Sequence, residues 1–240
     1  MRPKICLPAV LKTGALVCLV SAVQPSFAQE LKPAESPTVD LSANIGVVSD
    51  YRFRGISSSD RNPAIQGGID ITTRSGWFAG VWGSSIAPYG GAKTEVDFYV
   101  GYTNEIGGFD YSVAANAYIY PSGQGVNYGE LQANVSKPIG SATVGAEVAY
   151  VPDQKNTGSD NVYLGMSLDI PFGETPFKFR TRGGYEDGFY DSKWDWEVGL
   201  VYDKDWGTLT ISTLGTDHSG AREAANLGKT GIVGTATLNF

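Results

Sequence analysis

Residues 49–70 read SDYRFRGISSSDRNPAIQGGID, and the alternation inside them decides the fold class. Tyr51 and Phe53 fall on one face of an extended chain, and Arg52 and Arg54 fall on the other. Gly55, a run of serines and Asp60 then read as a loop. From Ala64 to Arg74 the alternation resumes, with Ile65, Ile69 and Ile71 set against Gln66, Asp70 and Thr72. A period of two places these sets on opposite faces of a sheet. Arginines in mid-strand behind an aromatic face suit a barrel in a membrane, with the apolar side to lipid and the charged side to a watery lumen.

Working outward, twelve alternating segments are expected from Val39 onward: 41–54, 63–74, 76–87, 93–105, 109–120, 126–136, 142–151, 160–170, 176–185, 193–203, 206–216 and 230–240. The connections after every second segment are tight, as at Arg74-Ser75-Gly76, Ile106-Gly107-Gly108 and Lys204-Asp205. The others, such as Gly55–Asn62, Pro152–Ser159 and Asp217–Lys229, are mostly longer and more polar. Short turns at one end and loops at the other are the mark of an outer-membrane barrel, with turns in the periplasm and loops outside. The expected fold is all-β: a transmembrane antiparallel up-and-down β-barrel of about twelve strands. Apolar faces are coherent, as in Val96, Phe98, Val100 and Tyr102 against Glu95, Asp97 and Tyr99. Segment 76–87 is the least clear, because Trp77, Phe78 and Trp82 fall on mixed faces. Outward aromatics gather at the strand ends. Tyr51, Phe53, Tyr150, Tyr185 and Trp194 belong to the loop end, and Tyr102, Tyr111, Phe177, Tyr202 and Phe240 to the turn end. Two such girdles suit two membrane–water interfaces.

Three runs carry a family resemblance: SDYRFRGIS from Ser49, DRNPAIQGGID from Asp60, and GWFAGVWGS over Gly76–Ser84. They resemble the N-terminal signature of the TorF-type porins of proteobacterial outer membranes. The resemblance is densest over Ser49–Ser84 and continues through the chain by pattern. It implies a barrel in the outer membrane of a Gram-negative bacterium and brings no catalytic motif with it. The final strand, Ile232 to Phe240, resembles the C-terminal signal read by the barrel-assembly machinery, a partner it implies.

The N-terminus reads as a targeting segment. Arg2 and Lys4 form a basic region, Gly14–Val23 is an apolar run too short to span a bilayer as a helix, and Ser26-Phe27-Ala28 is a small-x-small cleavage site. The expected organisation is a signal peptide over 1–28, a periplasmic linker over 29–38 carrying Pro33 and Pro37, and the barrel over 39–240. Both cysteines, Cys6 and Cys18, lie in the signal segment, so the exported chain would be stabilised without disulfides. Arg2, Lys4 and Lys12 also lie there, leaving fifteen basic residues against all twenty-five acidic ones. That balance argues against nucleic acid as a partner. A mean hydropathy of −0.13 is compatible with a barrel, which shows lipid only alternate residues.

The alternation sends one charged set inward. The candidate lumen residues are Arg52, Arg54, Asp70, Glu95, Asp97, Asn116, Glu130, Gln132, Glu147, Asp169, Lys178, Arg180, Arg182, Asp195 and Glu197. Their five bases and eight acids predict a weak preference for cations. Symmetric loops would set Arg182 opposite Asp195, Arg180 opposite Glu197, and Asp97 opposite Asn116. These charges either hold one another and plug the barrel or line a selective water path. Twelve strands lie between filled eight-stranded barrels and open sixteen-stranded ones, so width does not choose. Arg52 and Arg54 either draw anions to the mouth or pair with a carboxylate such as Asp60 or Asp70.

The expected function is a porin-like channel for passive diffusion of small hydrophilic solutes or ions. The alternative is a non-conducting barrel that displays its loops for structure or adhesion. No enzyme, cofactor or metal is expected. His218, the single histidine, sits in Asp217-His218-Ser219, and adjacent residues do not form a triad. The loop acids Asp153, Asp160, Glu186, Asp187 and Asp191 lack the spacing of a calcium loop. Outer-membrane lipid is the expected surrounding, and no surface in the sequence argues for a homo-oligomer.

Overall fold

A computed structural model describes residues 39–188, 192–217 and 226–240. Twelve antiparallel strands close into a barrel: β1 (Val39–Val48), β4 (Ala64–Thr73), β5 (Trp77–Tyr89), β6 (Ala92–Ile106), β7 (Phe109–Ile119), β8 (Tyr128–Ile139), β9 (Ala142–Val151), β10 (Asn161–Pro171), β11 (Phe177–Gly188), β12 (Lys193–Lys204), β13 (Gly207–Thr216) and β14 (Gly231–Asn239). Sequential strands pair throughout, and β1 closes the ring on β14, with Asn44 opposite Asn239. Closure satisfies every strand edge, which a sheet surrounded by lipid requires. The expected signal segment and linker, 1–38, lie outside the described residues.

Turn chemistry sets the ends. Gly107 and Gly108 both have positive φ (62° and 75°) and join β6 to β7 in two residues, a connection that suits the twist of a hairpin. Gly90 and Gly91, at 58° and 102°, do the same between β5 and β6. The loop expected at Pro88–Ala92 is therefore a two-residue turn, and the strands around it run longer than the sequence pattern suggests. A register irregularity between Ser85 and Tyr89 accommodates Pro88, which has no N–H for the ladder.

The wall is inverted relative to a soluble protein. Leu41, Ile65, Phe98, Leu131, Met166, Ile211 and Ile232 are exposed on the outside. The buried residues include Gln66, Asp97, Asn116, Glu130, Gln132, Glu147 and Asp195 on the inside. Trp77 packs edge-on against Tyr102, Phe177 against Tyr202 at 5.0 Å, and Tyr185 beside Trp194 at 4.8 Å, giving outward aromatic clusters at both barrel ends. The mixed faces of β5 resolve by parity. Trp77 is outside, Phe78 lies over Gly101, and Trp82 is buried against Tyr51.

The largest departure from expectation lies in the opening stretch. The first strand does not continue to Arg54; it ends at Val48, and the chain turns into the barrel. There Arg52–Phe53 (β2) and Ile56–Ser57 (β3) form a minimal hairpin of their own. The Asp50 carboxylate accepts from Arg52 Nε at 2.7 Å and from Ser57 Oγ at 2.6 Å, which draws the segment in on itself. Arg54 (φ 46°) and Gly55 (φ 82°) take left-handed conformations at its tip. Tyr51 is consequently buried inside the barrel, and Phe53 packs on Tyr118. Neither belongs to the outer girdle.

Candidate functional site: the barrel interior

The interior is lined by one parity of each strand, and the strands deliver charge in layers. Nearest the tight-turn end, β11 presents Lys178, Arg180 and Arg182 on one face. Arg180 grips Asp169 of β10 with two bonds, Nε to Oδ1 at 2.9 Å and Nη2 to Oδ2 at 2.7 Å. Lys178 bonds Asp203 at 3.1 Å and lies 3.9 Å from Asp169. Arg182 meets Glu197 of β12 at 2.9 Å. The fork of a guanidinium fits a carboxylate in this two-bond fashion, which fixes register as well as charge.

These pairs differ from the symmetric-loop expectation. Arg182 is opposite Glu197, while Asp195 is opposite Gly184. Arg180 turns to its other neighbour. Asp97 is opposite Tyr118, and Asn116 opposite Tyr99. Each shift is two residues, which changes the partner and preserves the face. For β11 and β12 the ladder pairs Arg182 with Glu197 and Glu186 with Lys193, so the hairpin centres one residue further along the chain than a pairing of Arg182 with Asp195 would put it.

Along the rest of the interior runs a network of tyrosines and carboxylates. Tyr120 donates to Glu95 at 2.8 Å, Tyr118 to Glu130 at 3.0 Å, Tyr163 to Asp195 at 3.3 Å, and Tyr99 to Asp70. Gln132 donates to Glu130 at 2.9 Å and accepts from Asn116 at 3.1 Å. Asp97 Oδ1 and Asp195 Oδ2 are buried with no hydrogen-bond partner among the described residues. A carboxylate oxygen held away from bulk water demands a solvating group.

Arg54 completes the loop-end layer. It comes from the hairpin that follows β1, yet its partners are on the far wall. Nη2 bonds Glu130 of β8 at 2.8 Å, and Nη1 bonds Glu186 of β11 at 2.9 Å. Its guanidinium also lies over the rings of Phe53 and Tyr163, at 4.6 and 4.4 Å. Glu186 is further bound by Lys193 and by Asn161 Nδ2. Arg52 stays on the near side, held by Asp50 and by the carbonyl of Lys229 at 2.7 Å. Neither arginine pairs with Asp60 or Asp70.

All fifteen candidate lumen residues lie on the inner side, Arg52 and Arg54 from the inward hairpin and the rest from strands. Asp50, Glu186 and Lys193 are interior residues that the sequence pattern did not single out. Glu186, expected among the loop acids, belongs to β11 and is 2% exposed. Its parity with Arg180 and Arg182 is the signal that would have found it. The additions bring one base and two acids, so the interior remains acidic. No group of His, Cys, Asp or Glu among the described residues is arranged to hold a metal. His218 and Asp191 lie outside the described residues.

A closed twelve-stranded barrel with an apolar exterior and a charged interior defines an architecture that transmembrane barrels share. The chain belongs to the family described as bacterial protein of unknown function (Gcw_chp), whose model matches residues 32–237. That description includes neither the TorF name nor an activity. No curated protein sequence matches the chain. Among solved structures it is similar to OpdK of Pseudomonas aeruginosa, crystallised with vanillate, at 12% identity and a TM-score of 0.46. The match covers 86% of this chain and 66% of OpdK, so the chain spans slightly less than two thirds of that protein. It is also similar to an anion-selective porin from Comamonas acidovorans, at 10% identity, 84% and 98% coverage and a TM-score of 0.43. For OmpF of Salmonella typhi in complex with daunomycin the values are 7%, 84% and 97%, and 0.48.

Proposed function

We propose that the protein is an outer-membrane channel for passive diffusion of small hydrophilic solutes or ions, with a weak preference for cations. The observation that carries this reading is the acidic interior of a barrel whose outside is apolar. Carboxyl oxygens such as Asp97 Oδ1 and Asp195 Oδ2 face inward without a donor among the described residues. Water is the group that can solvate them there, and a hydrated interior with fixed negative charge favours cations. Export by the signal segment and delivery to the barrel-assembly machinery through the strand ending at Phe240 complete the same reading.

The test is liposome swelling with neutral sugars of increasing size. Vesicles holding the protein should swell faster than empty ones, with a size cut-off. Equal swelling at every size would remove the diffusion channel. A second reading, a non-conducting barrel that displays loops, is favoured by the ion pairs that Arg54 makes across the interior. It predicts intact folding with no swelling and no conductance.

A further inference from the structure

We infer that Arg54 sets the ion selectivity and the conductance of the interior, an inference that rests on the channel reading above. Three observations place it there. The segment that carries it is pinned on several sides: Ser57 N–H donates to the Leu227 carbonyl at 3.1 Å, Ala87 N–H to Ser58 at 2.9 Å, and Ser49 N–H to Gly234 at 2.9 Å. The hairpin is therefore fixed to β5, to β14 and to the segment before β14. Next, Gly55 allows the tip to enter. A Cβ there would sit 2.7 Å from the Gly215 carbonyl oxygen, and its φ of 82° disfavours any side chain. Finally, the guanidinium reaches from the β1 side of the ring to Glu130 and Glu186, which belong to strands on the other side.

The charge balance of this layer gives Arg54 its effect. Glu130 and Glu186 bring two negative charges, and Arg54 and Lys193 bring two positive ones. These four side chains therefore sum to zero, while Asp195, two residues further from the loop end than Lys193, and the other inner carboxyl groups keep the interior acidic. Removing Arg54 opens the crossing and leaves the layer with one net negative charge. Fixed charges at a constriction act at short range, inside the screening length, and tune ion selection. Lysine would restore the charge without the fork that spans both carboxylates.

The experiment is single-channel recording of protein purified from membranes, in planar bilayers under a potassium chloride gradient. Arg54→Ala should raise the conductance about twofold and the potassium-to-chloride permeability ratio about threefold or more. Arg54→Lys should hold the ratio near the wild-type value while the conductance rises. Glu130→Gln, which leaves the arginine under-compensated, should shift the reversal potential the opposite way, toward chloride. That variant decides the matter if Arg54→Ala fails to fold. Identical conductance and reversal potential in wild type and Arg54→Ala would overturn the inference and leave the channel reading standing. A silent wild type beside a conducting Arg54→Ala would uphold the inference and remove conduction by the native protein. Silence from both, each shown folded by heat-modifiable migration on a gel, would overturn both.

Discussion

Gly55 is the residue on which the inward hairpin turns. With φ at 82° and the Gly215 carbonyl 2.7 Å from where a Cβ would lie, Gly55→Ala must either distort the tip or displace β13. We expect a loss of about 1–3 kcal/mol, the scale of a forced left-handed conformation, read as a lower urea midpoint for the folded barrel in detergent. An unchanged midpoint would mean that the tip does not pack against β13. Glu130 makes the complementary case. It accepts from Arg54, Tyr118 and Gln132, and it is 2% exposed. Glu130→Ala leaves a buried arginine with one carboxylate fewer and should cost about 3–5 kcal/mol by the same measurement.

At the scale of the strand, parity proved more robust than register. Alternation places every candidate strand residue on the inner face because a slip of two residues leaves the face unchanged. That is why Asp97, Glu147 and Asp169 were legible as interior, while the partners of Arg180 and Arg182 were not. Partner choice depends on where a hairpin centres, and the pairing of Glu186 with Lys193, which sets the β11–β12 register, is announced by no local pattern. The end of β1 was equally hidden. Tyr51 to Arg54 alternate whether or not they continue the sheet. What ends the strand is the closure of Asp50 onto Arg52 and Ser57 and the docking of the tip on distant strands. Strands also pack inner-face tyrosines on glycines. A Cβ on Gly184 would fall 2.1 Å from the Tyr163 hydroxyl oxygen. Gly184→Val should therefore displace that ring, at a cost of about 1–3 kcal/mol. It should also change the tyrosine fluorescence of the folded barrel, and an unaltered spectrum and stability would show that the ring is not held there.

For the whole molecule, the defining feature is the inverted wall. Ile69 is 51% exposed in the middle of β4, a poor place for an isoleucine in water and a good one in lipid. Ile69→Arg should destabilise the barrel in lipid vesicles by about 2–4 kcal/mol, as charges at mid-membrane do, and much less in a soluble protein. A neutral effect would argue against a lipid-facing wall. The closed barrel itself was legible because hairpin turns, two-residue alternation and aromatic strand ends all point to it. The crossing that Arg54 makes was not, since it is assembled by contacts between residues more than seventy positions apart.

Single-channel conductance of the membrane-purified protein in a planar bilayer, under a potassium chloride gradient, tests the water-filled acidic interior most directly. Discrete, reproducible steps with a reversal potential on the cation side are predicted. Silence from protein shown to be folded, or reversal on the anion side, would contradict it.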